Sequence, residues 1–306
     1  MVGGPTRRTA VKYLKKKLDR SERHACKAVG ISRSTFHYSP KPKPDEKRLR
    51  EEVLRLASMH RRYGYRRITA LLRRKWHVNE KRVHRIWKDE GLGLKRKRPQ
   101  RRRYGPKSEV KRKAEYPNQV WGYDFVEDRT VKNDRIRILT VIDEFTREAL
   151  ALLVARHIGS PDVLDTLEML VERRGAPEYL RSDNGPEFIA NAVKQWLGEH
   201  GCETLYIEPG SPWQNAYVES FNGKLQDECL KVHLFNNGQE AIEIIENWRL
   251  EYNEFRPHSS LNNLTPEEFH RRYVSSLRAT PSGNSHTATP KKPHGESRQL
   301  AAKPRL

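Results

Sequence analysis

Residues 119–128 read QVWGYDFVED, and the fold turns on them. The stretch is apolar and aromatic with Asp124 in its middle, the pattern of a strand. RIRILTVIDEFT (135–146) and EALALLVARH (148–157) read as two more strands, with a turn around Thr146. A helix is expected from Pro161, in its first turn, to Gly175, its stop signal. Glu178 to Arg181 is a short fourth strand, and Asp183 comes just after it. Asn184-Gly185-Pro186 then turns the chain. Phe188 to His200 reads as helix, and Cys202 to Ile207 as a fifth strand. The loop EPGSPWQNA follows, and Glu219 sits early in the helix beyond it.

This order is three strands, helix, strand, helix, strand, helix. It matches an α/β, ribonuclease H-like core with a five-stranded mixed sheet and helices. Asp124 on the first strand and Asp183 after the fourth meet where those strands lie side by side. Glu219 arrives on a helix packed across that edge. Carboxylate oxygens are hard ligands of the kind Mg²⁺ prefers. Two such ions about 3.5–4 Å apart clamp the attacking and leaving oxygens of a phosphoryl displacement. Without metal, three clustered acids resist joint ionisation. Asp128, Asp134, Asp143 and Glu144 also lie near the first strands. Asp143, at a strand end, is the strongest competitor for a ligand position among them, but reads first as a turn cap. Glu187 is placed to cap the helix after Asp183.

Charge points to the partner. Lys and Arg number 60 against 39 Asp and Glu, a net charge of +21 in 306 residues. Such an excess favours a polyanion such as double-stranded DNA, through counterion release, with an acidic membrane as the rival explanation. No apolar run approaches the ~20 residues of a membrane span. No apolar segment near the start resembles a signal peptide. The expectation is a cytoplasmic, nucleoid-associated bacterial protein with no membrane partner. Cys26, Cys202 and Cys229 lack metal or disulfide spacing and read as small buried residues.

The basic residues also mark the domains. From Lys95 to Lys113, eleven of nineteen residues are basic and one is acidic. Residues 95–114 therefore read as a linker, between helical units and the core at 115–272. Residues 275–306, rich in Ser, Thr, Pro and basic side chains, read as a disordered basic tail.

Residues 1–40 read as a helix-turn-helix. Ser21 caps a helix to Val29, Gly30 takes the left-handed turn, and Ser32 caps a second helix to about Tyr38. Small Cys26 lets the helices cross closely. Arg33, Ser34, Thr35 and His37 on the second helix are the candidate DNA contacts; a plain helical hairpin is the alternative. Residues 45–94 form a second helical unit. Leu49, Val53 and Leu56, then Ile68, Leu71 and Leu72, then Val83, Ile86 and Trp87 recur at helical spacing. Within it, RRYGYRR (61–67) sets Arg61, Arg62, Arg66 and Arg67 around Tyr63 and Tyr65. Guanidiniums beside aromatics suit phosphate contact and stacking. Equally, the tyrosines are core and the arginines merely solvated.

Three motifs carry a resemblance: WGYDF (121–125), RSDNGPEF (181–188) and SPWQNAYVESFNGKL (211–225). Asp183 and Glu219 are separated by 35 residues. With YNEFRPHSSLNNLTPEEF (252–269), this resembles the IS-three family of insertion-sequence transposases. Its OrfB product has a D,D-35-E core like that of retroviral integrases. The resemblance spans roughly residues 10–272. It implies Asp124, Asp183 and Glu219 as catalytic metal ligands, with Mg²⁺ as cofactor and Mn²⁺ as substitute. It implies 3′-end cleavage and strand transfer by a homo-oligomer on terminal inverted repeats and target DNA. It also implies an upstream OrfA product, or an OrfA–OrfB fusion, as partner; no heptad zipper is visible here.

One position departs from the family. Many relatives carry Lys or Arg seven residues after the glutamate, where this chain has Gln226. Lys224, five residues on, lies about 140° round the helix from Glu219. Gln214, Asn215, Lys224 and Gln226 are the candidate DNA contacts near the core. Arg256, Pro257 and His258 either close over the core or meet phosphate. The alternative function is a DNA-binding regulator, or an inactive transposase remnant that keeps the fold. A ribonuclease H-like hydrolase without joining activity is the third reading.

Overall fold

The computed structural model describes residues 4–39, 43–93, 113–182, 191–206 and 215–279. The linker at 95–112, Asp183 with its Asn-Gly-Pro turn, and Gln214 lie outside the described residues. The chain divides into two compact units, residues 1–60 with 78–93, and residues 61–77 with 94–306.

In the first unit, α1 (Gly4–Lys17), α2 (Glu22–Val29) and α3 (Arg33–His37) enclose a small core. Val11, Ala25 and Cys26 are buried there, with Leu14, Ile31 and Phe36 packed around them. The caps are those read from the sequence. Ser21 and Ser32 each accept a backbone N–H of the helix they precede, and Gly30 has φ 67°. Helix α1 was not anticipated: its mean hydropathy is low, and Val11 and Leu14 acquire a face only against α2 and α3. Further on, α4 (Glu46–Met59) packs on α6 (Glu80–Asp89). Arg82 joins them, reaching Asp45 at 2.7 Å and Glu46 at 2.8 Å.

The second unit is built on five strands: β1 (Val120–Arg129), β2 (Arg135–Asp143), β3 (Ala149–Ala155), β4 (Tyr179–Ser182) and β5 (Glu203–Tyr206). Their order across the sheet is β3-β2-β1-β4-β5. The first three are antiparallel; β4 and β5 run parallel to β1. This is the mixed sheet of the ribonuclease H-like fold.

Alternation along β1 feeds two cores. Trp121 and Tyr123 point to the face covered by α7 (Ser160–Arg174) and α8 (Asn191–Glu199), against Val163, Leu167, Val193 and Leu197. Val126 belongs to the opposite face, where Val218, Phe221 and Leu225 of α9 (Ala216–Leu225) pack. Trp248 and Tyr252 of α10 (Gly238–Glu254) extend that core over β3. Gly122 and Asp124 share the α9 side by the same alternation.

A π-helical turn, Gln226–Leu230, continues α9; Lys231 N–H donates to the Gln226 carbonyl at 2.9 Å. Such turns recur at functional sites. After α10, α11 (Pro266–Ala279) packs Phe269 and, edge-on, Tyr273 against Phe145 in the β2–β3 turn. The helix thus runs to residue 279, through the first residues of the stretch read as a tail; 280–306 lie outside the described residues. Helix α5 (Tyr65–Leu72) belongs to this second unit. All three cysteines are free and buried.

Candidate active site

Asp124 stands at the centre of β1, opposite Thr140 of β2. It is only partly buried. Its Oδ1 accepts the Phe125 N–H at 2.7 Å, and its Oδ2 accepts Asn222 Nδ2 at 2.9 Å. Asn222 is buried and lies three residues after Glu219, on α9. Its own carbonyl oxygen faces Thr140 Oγ1 at 3.0 Å, which also lies 3.1 Å from the Asp124 carbonyl. Strand β1, strand β2 and the glutamate helix are therefore joined at this aspartate.

The close approach of that helix depends on Gly122. A Cβ at this position would lie 2.4 Å from Val218 Cγ2, well inside contact distance. Val218 immediately precedes Glu219. With no side chain in the way, α9 settles onto β1 two residues before Asp124. Glycine inside a strand is the sequence signal of such an approach. Neither Gly122 nor Asn222 was singled out from sequence. Asn222 could have been found by its spacing, since residues three apart share a helix face.

On α9, Val218, Phe221, Asn222 and Leu225 are buried, whereas Glu219 and Gln226 are exposed. At 100° per residue Glu219 and Gln226 fall within about 20° of each other, on one stripe. On the other side of β1, pairing with β4 is described as far as Gly122 opposite Arg181. Asp124 and Asp183 each stand two residues beyond that pair in sequence. Among the described residues no three His, Cys, Asp or Glu side chains form a metal-holding group.

The competing acids have other partners. Asp143 is buried, and its oxygens accept N–H groups from Asn118 at 2.8 Å and Phe145 at 2.8 Å, which makes it a turn cap. Glu144 is buried against Arg181, 2.8 Å from its Nε. Burial pushes both carboxyls above their usual range, opposed by those donors.

The proposed DNA contacts divide by environment. Arg33 and His37 approach Glu22 at 3.3 and 2.6 Å, and Ser34 Oγ lies 3.0 Å from Ser32 Oγ. Lys15 and His37 hold the Glu22 carboxyl down at about 2. The Thr35 N–H is taken by the Ser32 cap. Arg61 and Arg66 are exposed, Arg66 lying 5.7 Å from the Tyr65 ring centre. Arg62 instead pairs with Asp227, and Arg67 reaches Glu228 at 2.8 Å. Tyr63 is buried, as core. Asn215 is also buried, directly before α9. Arg256 and His258 close over the core, both buried.

A ribonuclease H-like sheet with an aspartate on β1 tied to a glutamate-bearing helix defines an integrase-type core. Family comparison agrees: residues 114–212 and 200–266 match integrase core domains, and residues 44–103 match an HTH-like domain. A 31.7 kDa protein of insertion element IS407 from Burkholderia multivorans is 42% identical over 84% of this chain and 92% of its own. A 39.2 kDa protein of insertion element IS476 from Xanthomonas euvesicatoria is 40% identical over 87% of this chain and 77% of its own. The transposase InsD of insertion element IS2 from Escherichia coli is 32% identical over 68% of this chain and 73% of its own. The chain belongs to the insertion-element transposases of the IS-three family. Among the described residues no helix is long and apolar enough to cross a membrane.

Proposed function

We propose that this transposase cuts the 3′ ends of its element and joins them to target DNA, with Asp124, Asp183 and Glu219 as the metal-binding residues. The observation that carries this reading is the Asn222–Asp124 hydrogen bond, which ties the helix of Glu219 to the strand of Asp124. The donor set fits a hard divalent cation. Asp124 and Glu219 offer carboxylate oxygens, the hard ligands such an ion takes, and Glu219 is exposed.

Mg²⁺, with Mn²⁺ as substitute, would supply charge neutralisation at the phosphate and activation of the attacking hydroxyl. The chain's own residues prepare the geometry. Asn222 and the Phe125 N–H fix the Asp124 carboxylate, and the Gly122–Val218 approach sets the height of Glu219 above the sheet. Water is the nucleophile for cutting, and a DNA 3′-hydroxyl for joining. Arg33, Ser34, Thr35 and His37, together with Arg61, Arg66, Gln214, Asn215 and Gln226, are the proposed contacts to terminal-repeat and target DNA. A homo-oligomer on DNA, with an OrfA product or fusion as partner, completes the proposal.

Asp183→Asn tests it. Cleavage and strand transfer of terminal-repeat DNA in Mg²⁺ or Mn²⁺ should vanish while DNA binding persists. Undiminished strand transfer in that variant sinks the metal reading. Specific binding by the wild type without nicking under either metal favours a regulator instead.

A further inference from the structure

Helix α9 presents a third stripe besides the buried one and the one bearing Glu219. Ala216, Tyr217, Ser220 and Lys224 line a cavity of about 360 Å³. At 100° per residue these positions span about 0–100° from Ala216, whereas Glu219 falls at about 300°. The cavity is therefore beside the proposed metal site and separate from it. Arg67 of α5, Arg147 of the β2–β3 turn and Arg256 after α10 complete a cationic wall with Lys224. Among the described residues no carboxylate lines it.

The charges are only partly met. Glu228 takes Arg256 at 2.6 Å and Arg67 at 2.8 Å, so one carboxylate serves two guanidiniums. Lys224 Nζ donates to Ser220 Oγ at 2.8 Å and to its carbonyl at 3.0 Å. An ammonium has three donors, so one is left. Arg147 donates to the Glu144 carbonyl and stacks 3.7 Å from the Tyr217 ring centre. Among the described residues, neither Lys224 nor Arg147 has a carboxylate partner. Burial, and then Arg256, hold the Lys224 ammonium down at about 8. Four cations thus crowd one cavity with a single described carboxylate, Glu228, between them. Three guanidiniums suit the tetrahedral oxygens of phosphate, which they bind as planar forks.

We infer that this cavity seats a backbone phosphate of the DNA, flanking the one attacked beside Glu219. The inference rests on the transposase reading above for the identity of its ligand. It also assigns Lys224 a task distinct from that of the missing cation at position 226. Lys224 grips from the neighbouring stripe, with Arg147 as its partner and Arg67 and Arg256 behind.

The test uses the full chain, a mixed-sequence double-stranded oligonucleotide and, separately, inorganic phosphate. Affinity is measured against salt for wild type, Lys224→Arg and the double variant Lys224→Gln with Arg147→Gln. Loss of one phosphate contact should reduce the slope of log K against log salt by about 0.9 in the double variant, with Lys224→Arg close to wild type. An unchanged slope in a double variant that melts like wild type overturns the inference. Thermal stabilisation by inorganic phosphate, lost in the double variant but with no change in DNA slope, assigns the cavity to a free anion and also overturns it. If the double variant does not fold, amine-reactive labelling of wild-type Lys224 decides. DNA should protect it, and equal labelling with and without DNA rejects the site. Neither readout requires strand cleavage, so a chain that proves inactive in every metal loses the catalytic reading while the phosphate site stands or falls separately.

Discussion

Asn222 Nδ2 lies 2.9 Å from Asp124 Oδ2, so a side chain three residues beyond Glu219 holds the aspartate on the facing strand. The bond is made by a buried amide whose other end meets Thr140. Such a group orients a carboxylate without itself needing to touch the substrate. Its loss should be read in rate rather than in DNA affinity.

Asn222→Ala should slow single-turnover cleavage about 10–100-fold, the usual cost of removing a partner behind a metal ligand. Asn222→Asp should act differently: a second carboxylate beside Asp124 disfavours joint ionisation and moves the rising limb of the pH–rate profile upward. Rates at several Mg²⁺ concentrations and pH values check both. An alanine variant with wild-type rates removes Asn222 from the site.

Gly122→Ala should destabilise the second unit by about 1–3 kcal/mol, as overpacking does. The added methyl would meet Val218 Cγ2 at 2.4 Å, and the helix carrying Glu219 would have to rise. Cleavage should fall as well. Adding Val218→Ala should recover part of the activity by reopening the space. Urea unfolding and a cleavage assay on the three variants show whether contact at this point sets the helix height.

Glu228→Gln should cost about 3–5 kcal/mol, because removing one partner of a buried pair strands the other charge. The Arg256 and Glu228 side chains are only 2% and 6% exposed, and Arg256 makes two hydrogen bonds to that carboxylate. Arg67 loses its anchor in the same change. Arg62→Ala should matter much less, since its pair with Asp227 is over a third exposed on both sides. Chemical denaturation compares the two; similar losses would contradict the burial argument.

His258 predicts an acid-sensitive term. Burial, then Arg256 and Lys224, push its pKa down from 6.5 to about 2. The folded state therefore keeps the ring neutral while the unfolded state takes up a proton. Stability is fully present above about pH 6.5 and is lost as pH falls towards 2, by up to about 1.4 kcal/mol per pH unit. Wild type should lose roughly 1.4 kcal/mol more than His258→Asn between about pH 7.5 and 5.5. Equal losses in denaturant titrations would show that His258 does not titrate this way.

Much of the fold was legible in local pattern. All five strands, the Ser21 and Ser32 caps and the left-handed Gly30 follow from alternation, capping chemistry and glycine's freedom at positive φ. The boundaries of α7 match the sequence reading within a residue or so. Helix α1 was not legible, because two apolar residues among many lysines and arginines make no stripe until a partner faces them. The RRYGYRR stretch was ambiguous for a related reason. An arginine reads alike whether it meets a phosphate or a carboxylate, and the carboxylates met by Arg62 and Arg67 lie more than 150 residues away in sequence.

The sequence by itself determined the order of elements, the excess of positive charge and the spacing of Asp124, Asp183 and Glu219, since these depend on residue type and short-range periodicity. Only the tertiary structure decided which groups surround Asp124 and the helix of Glu219. Gly122 under Val218, Asn222 on Asp124 and the cations around Lys224 are contacts between segments remote in the chain, and such contacts exist only once the sheet has brought those segments together.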